Sequence, residues 1–356
     1  MSSSIGILTF HRTTNFGSIL QTYGLYKKII DLGYNAQIID YRCPAIEKRE
    51  NLSPNYSLYN IRDVYLKFFV QPYYEKKAKS LAAFTEKNMK ISNPIFPTDK
   101  EKIDKSFDKF FVGSDIVWGR DITGNDYTYF LDFVHDKSKK YAFSSSVGNC
   151  SLNNDEKKLS TLLSDFSQIA VREDEAVEWV YKLSNVKASL VCDPTMLLTE
   201  DDWEECIPTK EILKKYVFVY FDSDGGKCLS DAKKYAKTHG LKVAFVNYGK
   251  PIAGVKSVKP TTLEEFLSYI KYAEMVFTAS YHGMLFSIYF QKEFLFYTRA
   301  HKSRVMSLAR KLGVLDHCGD NWDGNSYQSV NYIDVNIKVD DFRNSSLDIL
   351  KDMLNE

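Results

Sequence analysis

Ser280-Tyr281-His282-Gly283 stands between an apolar run, AEMVF (273–277), and residues at helical apolar spacing, Leu285, Ile288 and Tyr289. A junction at the carboxyl end of a strand and the start of a helix turns backbone N–H groups and a positive dipole end toward an anion. Glycine there lets a ligand approach the backbone, and an imidazole can give or take a proton near neutral pH. The same place equally suits a turn histidine that caps its own helix. Other stretches share the placement. Asn15-Phe16-Gly17-Ser18 precedes a helix and suits a polar ligand, but Ser18 with Gln21 also reads as a plain capping box. Gly113-Ser114-Asp115 ends a strand, where Asp115 can orient or deprotonate a hydroxyl, or simply make an Asx turn. Arg172 ends another strand and matches a phosphate or carboxylate, or else a salt bridge to its neighbours Glu173 and Asp174. Asp193-Pro194 reads as a turn. TRAHKSR puts Arg299, His301, Lys302 and Arg304 between a strand and a helix, which fits an anion or a solvated face.

The elements that must position these residues alternate between strand and helix patterns. Strands are predicted at 5–10, 36–41, 107–115, 140–148, 167–174 and 188–195. After a charged stretch, TEDDWEECIPTKEILKK, the alternation restarts with strands at 215–221, 241–248, 273–280 and 293–297. Helices are predicted at about 19–32, closed by Gly33, from near Glu173, at 227–239, at 261–272, up to Gly313, and over 340–356. An aromatic, basic segment around 65–79 is expected to break at Pro72. Two successive α/β units predict two Rossmann-like domains, 1–205 and 206–356, with the last helix able to pack back on the first. In open parallel sheets ligands bind at the carboxyl ends of strands, where these candidate stretches lie.

Composition narrows the classes. The chain has 356 residues, 44% of them hydrophobic, and 47 basic against 46 acidic residues give a formal charge of +1. That balance does not support bulk nucleic-acid binding. Six cysteines (43, 150, 192, 206, 228 and 318) contain no CxxC and read as reduced, buried thiols. The start MSSSIGILTF lacks the basic and long apolar regions of a secretion signal, and no run reaches membrane-span length, so a cytoplasmic protein is expected. The sequence has no GxGxxG, P-loop or GxSxG, and no two histidines sit at ligand spacing on one element. No metal and no redox cofactor is expected. The 65–79 segment mixes aromatics with Lys67, Lys76, Lys77 and Lys79, which suits peripheral contact with a membrane surface or a helix packed on its domain.

Taken in order, NFGS after the first strand, GSDIVW (113–118), YAFSSSVG (141–148), VRED (171–174), VCDPTMLL (191–198), SYHGMLFSIYFQKEF (280–294) and KSR (302–304) resemble the polysaccharide pyruvyl transferase family. The family often has GSDQVW, and Ile116 stands at the glutamine's place. The resemblance implies a GT-B-like fold of two Rossmann-like domains facing across a cleft, the first taking the acceptor and the second phosphoenolpyruvate. It implies transfer of the three-carbon unit of phosphoenolpyruvate to two hydroxyls of a sugar, giving a pyruvate ketal and phosphate. The acceptor class is a capsule or exopolysaccharide repeat unit on a lipid carrier, at the inner face of the membrane. Arg172, Ser280, Tyr281, His282, Gly283, Lys302 and Arg304 then become phosphoenolpyruvate ligands. His282 is the candidate acid, Asp115 binds or deprotonates the acceptor, Arg172 assists departure of phosphate, and Asn15, Gly17 and Ser18 lie on the acceptor side. Two rivals share the architecture: a glycosyltransferase using a nucleotide sugar, and a silent saccharide-binding protein.

Overall fold

The computed structural model describes residues 3–50, 59–148, 155–221, 225–298, 302–324 and 326–356, with the backbone alone at Lys302 and Ser303. Two parallel sheets organise them. The first contains β1 (Ser4–Leu8), β2 (Asn35–Ile38), β3 (Lys109–Val112), β4 (Lys140–Ser145), β5 (Gln168–Val171) and β6 (Ser189–Leu190), in the order β2-β1-β3-β4-β5-β6. The second contains β7 (Tyr216–Tyr220), β8 (Lys242–Val246), β9 (Lys256–Val258), β10 (Met275–Thr278) and β11 (Glu293–Phe296), in the order β11-β10-β7-β8-β9. Every pairing is parallel. Strands β3 and β4 are buried at each position, as strands covered on both faces must be.

Several elements differ from their sequence-based bounds. The first helix is Phe16–Asp31, because Asn15 and not Ser18 is its cap: the Asn15 amide oxygen accepts from the N–H groups of Gly17 and Ser18. The strand expected over 188–195 pairs only at Ser189–Leu190 and then turns at Asp193 into a 3-10 helix, Pro194–Leu197. Pro72 breaks nothing. Helix Ile61–Tyr65 runs through a π-helical turn, Leu66–Val70, into helix Gln71–Asn88, where Pro72 occupies the first turn and needs no N–H partner. The final helix begins earlier than expected, at Tyr332, and ends at Asn355. Among the described residues no helix is long and apolar enough to cross a membrane.

The chain divides into two compact units: Met1–Asn51 with Ala83–Leu198 and Val339–Glu356, and Leu52–Ala82 with Thr199–Lys338. The expected division at 205/206 therefore moves to 198/199. The charged stretch at the division begins with helix Glu200–Cys206, started by a capping box between Thr199 and Asp202. Its Trp203 is buried edge-on against Phe286, 5.5 Å away, which ties it to the second unit. Residues 59–82 also join the second unit. Tyr74 lies 5.0 Å from Tyr248, and the Lys77 amine is 5.2 Å over the same ring. The end of the last helix belongs to the first unit. The buried Lys109 amine donates to the carbonyls of Met353 and Leu354 at 2.8 and 3.0 Å, satisfying a helix terminus that otherwise lacks partners.

One contact fixes how the first helix meets the turn after β6. A Cβ on Gly24 would lie 2.5 Å from the Pro194 carbonyl oxygen. Gly24→Ala is expected to cost about 1–3 kcal/mol of stability through this overpacking. Urea unfolding measures it, and a cost below about 0.5 kcal/mol, the range of an ordinary surface change, would show that the turn yields freely.

Candidate functional site

A parallel sheet binds ligands where its strand order reverses, because the loops that leave two adjacent strands there run in opposite directions and open a crevice. In the first sheet that reversal falls between β1 and β3, and in the second between β7 and β10. Residues 9, 18 and 113–115 gather at the first point and residues 278–283 at the second.

At the first point, Thr9 follows β1 and Gly113-Ser114-Asp115 follows β3. The Thr9 hydroxyl donates to the Ser114 carbonyl at 3.1 Å. Gln21 reaches in from the first helix: its amide nitrogen donates to Thr9 Oγ1 at 3.1 Å, and its amide oxygen accepts from Ser114 N at 3.2 Å. Gln21 is thus a buried strut and not the capping-box partner its spacing suggested. Ser18, from the same helix, donates its hydroxyl to Asp115 Oδ2. Asp115 Oδ1 accepts from Ile116 N at 2.9 Å, and this carboxylate is 8% exposed. Asn15 is exposed, and Gly17 is buried with its N–H on the Asn15 side chain.

Arg172 enters this cluster from the end of β5, buried to 4% exposure. Its Nη1 donates to Asp193 Oδ2 at 2.6 Å. Asp115 Oδ1 lies 4.0 Å from Nη2, and Glu173 Oε2 lies 3.9 Å from Nε. The expected ion pair with Glu173 is present, but the shorter contact is to Asp193, 21 residues on. Asp193 does make the expected turn, accepting from the N–H and hydroxyl of Thr195 at 3.0 and 2.7 Å. It is also the counter-charge of Arg172, which local sequence does not reveal. Glu173 accepts from the Ser146 hydroxyl at 2.7 Å and from Val147 N at 3.1 Å. Four stretches far apart in sequence, GSD, SSSVG, VRED and CDPT, thereby meet in one network of three carboxylates around one guanidinium.

The loop before the first helix holds a further buried pair that sequence reading passed over. His11 Nε2 lies 3.1 Å from Asp40 Oδ1, and Arg42 Nε donates to the same oxygen at 3.0 Å. Burial raises the Asp40 carboxyl, but the hydrogen bonds from His11 and Arg42 outweigh it and hold the group below its ordinary range. A lowered carboxyl pKa adds stability that is present above the unfolded value, about 3.9, and is lost as pH falls through the lower folded value.

At the second point, Thr278 ends β10. Its hydroxyl donates to the Tyr220 carbonyl at the end of β7 (3.0 Å) and accepts from Ser280 N (3.0 Å). Ser280 caps helix Tyr281–Tyr289 by accepting from Gly283 N at 3.3 Å. That helix is buried along its whole length, with Tyr281 7% and His282 9% exposed. The His282 ring lies edge-on to Tyr281, 5.4 Å away. Gly283 has a packing reason that differs from ligand approach. A Cβ there would lie 2.4 Å from Thr278 Oγ1 and 3.1 Å from the Tyr220 ring. Arg304 is half-buried on helix Lys302–Leu312. The Lys302 side chain, Arg299 and His301 lie outside the described residues.

Residues 15–301 match the family model described as polysaccharide pyruvyl transferase. No curated protein matches the chain. Among solved structures, the UDP-GlcNAc 2-epimerase from Neisseria meningitidis bound to UDP-GlcNAc is similar, with 8% identity and a TM-score of 0.50, over 99% of this chain and 100% of that one. MnaA from S. aureus, solved with UDP, has 11% identity and a TM-score of 0.51, over 96% of this chain and 88% of its own. At such identities the likeness is one of fold, and the fold of this chain is GT-B-like, with two Rossmann-like units.

Two outcomes test the first cluster. Asp193→Ala strips the Arg172 guanidinium of its nearest carboxylate, and breaking a buried pair in this way costs about 3–5 kcal/mol. Urea unfolding should show that loss, and a cost near zero would mean the neighbouring carboxylates replace Asp193. Asp40→Asn should flatten the fall of stability on the acid side of the carboxylate range, read from unfolding midpoints as pH is lowered. An unchanged acid limb would show that Asp40 contributes nothing to it.

Proposed function

Because this chain belongs to the polysaccharide pyruvyl transferase family, we propose that it moves the enolpyruvate-derived unit of phosphoenolpyruvate onto two hydroxyls of a sugar in a lipid-carried capsular or exopolysaccharide precursor. The product is a cyclic pyruvate ketal, and phosphate is released. The family match carries the reading. The different characters of the two clusters support the division of labour within it.

The bond changes balance without a redox step. A proton adds to the methylene carbon, a first sugar oxygen bonds to the central carbon, and that hydroxyl loses its proton. Phosphate then leaves with the electron pair of its C–O bond. A second sugar oxygen bonds to the same carbon and loses its proton in turn. Of the two hydroxyl protons released, one balances the new methyl group and the other goes to phosphate. The sequence needs a proton donor near the methylene carbon, a base near the sugar, and fixed positive charge for phosphate.

His282 is the donor in this scheme. The capped helix start at Ser280–Gly283, with Lys302 and Arg304, holds the carboxylate and phosphate of the donor substrate. Asp115 accepts the proton of the first hydroxyl, with Asn15, Gly17 and Ser18 on the acceptor side. Arg172 takes a positioning role. Its Nη1 is already bonded to Asp193, and three carboxylates around it disfavour a further anion. It keeps Asp115 and its surrounding loops in place instead of binding phosphate directly.

The first test is ligand-induced stabilisation of the purified protein. Phosphoenolpyruvate should raise the unfolding temperature, since a ligand of the folded state stabilises by mass action. A shift with a UDP-, GDP- or CMP-sugar and none with phosphoenolpyruvate would replace pyruvyl transfer by glycosyl transfer. His282→Gln should then keep the phosphoenolpyruvate shift while phosphate release in the presence of acceptor falls about 10²–10⁴-fold, the usual size of a lost general acid. Undiminished release would remove His282 from the mechanism.

A further inference from the structure

The segment that begins at Tyr59 is amphipathic in an unusual sense, because its apolar residues appear on both faces. Its inner row is Tyr65, Val70, Tyr74, Lys77 and Leu81. Tyr65 donates its hydroxyl to the Gly249 carbonyl at 3.4 Å, Tyr74 and Lys77 pack on Tyr248, and Val70 and Leu81 are buried. The step from Tyr65 to Val70 is one residue longer than an α-helical turn, and it is supplied by the π-helical turn Leu66–Val70. In a plain helix Phe69 would follow Tyr65 inward. The wider turn buries Val70 and leaves Phe69 at the rim, its ring stacked 5.3 Å from Tyr65 and largely exposed.

The outer face is therefore apolar where solvent is the alternative. Ile61 is 89% exposed, Phe68 59%, Phe69 60% and Tyr73 40%, and Tyr59 is fully exposed. These five are nearly half of the twelve large exposed hydrophobics among the described residues, gathered within residues 59–73. Single exposed apolar residues are ordinary, but a gathered set marks an interaction surface.

The charges around the face say what it meets. Arg62, Lys67, Lys76 and Lys79 are exposed along the same segment, against Asp63 and Glu75. Two further amines come from elsewhere in this unit: Lys259 sits 4.1 Å over the Tyr73 ring and Lys250 5.8 Å over Tyr65. We infer that this face docks on an anionic lipid bilayer, with Ile61, Phe68 and Phe69 entering the headgroup boundary and the lysines meeting lipid phosphates. Lysine stems lie along apolar surface while their amines reach outward, and tyrosine suits the interface itself. A second copy of the chain on this face would bring the same cations against one another, whereas anionic headgroups neutralise them. The helix lies on the membrane and does not span it, in keeping with the absence of a spanning helix among the described residues.

The test uses the full chain and reads binding instead of turnover, so it stands apart from the reaction proposed above. Sedimentation with phosphatidylcholine vesicles containing phosphatidylglycerol should capture the protein, and vesicles of phosphatidylcholine alone should capture far less. Phe68→Ser with Phe69→Ser should abolish capture without lowering the unfolding temperature, because both rings are already exposed. Lys67→Gln and Lys76→Gln should each weaken it about fivefold, the effect of one basic residue near an anionic surface. Lys237→Gln, exposed on helix Gly226–His239, should not. Absent capture, equal capture by neutral vesicles, or capture unaltered by the phenylalanine changes would each overturn the inference. Self-association in sedimentation velocity that Phe68→Ser abolishes, without lipid binding, would overturn it in favour of a second copy.

Discussion

The first unit depends on a guanidinium that water cannot reach. An arginine at 4% exposure is tolerated only beside carboxylates that offset its lost hydration. Asp193 does this at 2.6 Å, and the consequence runs outward from it. The chain must leave β6 and turn at Asp193, which sets Pro194 where the first helix can approach only through Gly24. Glu173, beside the same arginine, holds the loop at Ser146 and Val147. Asp115 then stands at the edge of this network with Ser18 on its other oxygen. One buried charge thus specifies the course of several loops, and the loops specify the carboxylate.

The second sheet reaches the same topological solution by a different chemistry. Beyond the parallel backbone ladder of β7 and β10, a hydroxyl links the ends of these strands. Thr278 Oγ1 ties β10 to β7, receives the N–H of Ser280, and packs where Gly283 has no side chain. This helix start is tied by hydroxyl and backbone groups, whereas the first cluster is built on charges.

Much of this was legible in the sequence, for reasons that can be named. Continuous apolar runs such as KFFV and MVFT announce strands buried on both faces, and their spacing with helical patterns announces parallel sheets. The placement rule for ligands then picked out 15–18, 113–115 and 280–283 without any contact information. What local sequence could not supply was partnership across long separations. Arg172 and Asp193 each had a sufficient local explanation, so their pairing stayed hidden. Ser18 with Gln21 satisfied the capping pattern, yet Asn15 caps the helix and both residues turn inward. TEDDWEEC does mark the division between the units, but its charges also line a capped helix with a buried tryptophan beneath, which composition alone does not show. At Pro72 the error lay in treating a helix breaker as if position did not matter.

The amine of Lys109 bears on how the molecule is made. Its partners are the carbonyls of Met353 and Leu354, and the N–H of Cys192 waits likewise for the Ser346 hydroxyl. Ribosomal synthesis delivers those partners only after all of Thr199–Lys338 has emerged. Chains usually fold domain by domain from the N-terminal side during translation. Until then the Lys109 amine, 5.0 Å over the Tyr141 ring of the same unit, and the Cys192 N–H lack these later partners. The nascent first sheet is therefore left unfinished for longer than its position in the chain suggests, and the second unit can complete its own sheet before the first is sealed.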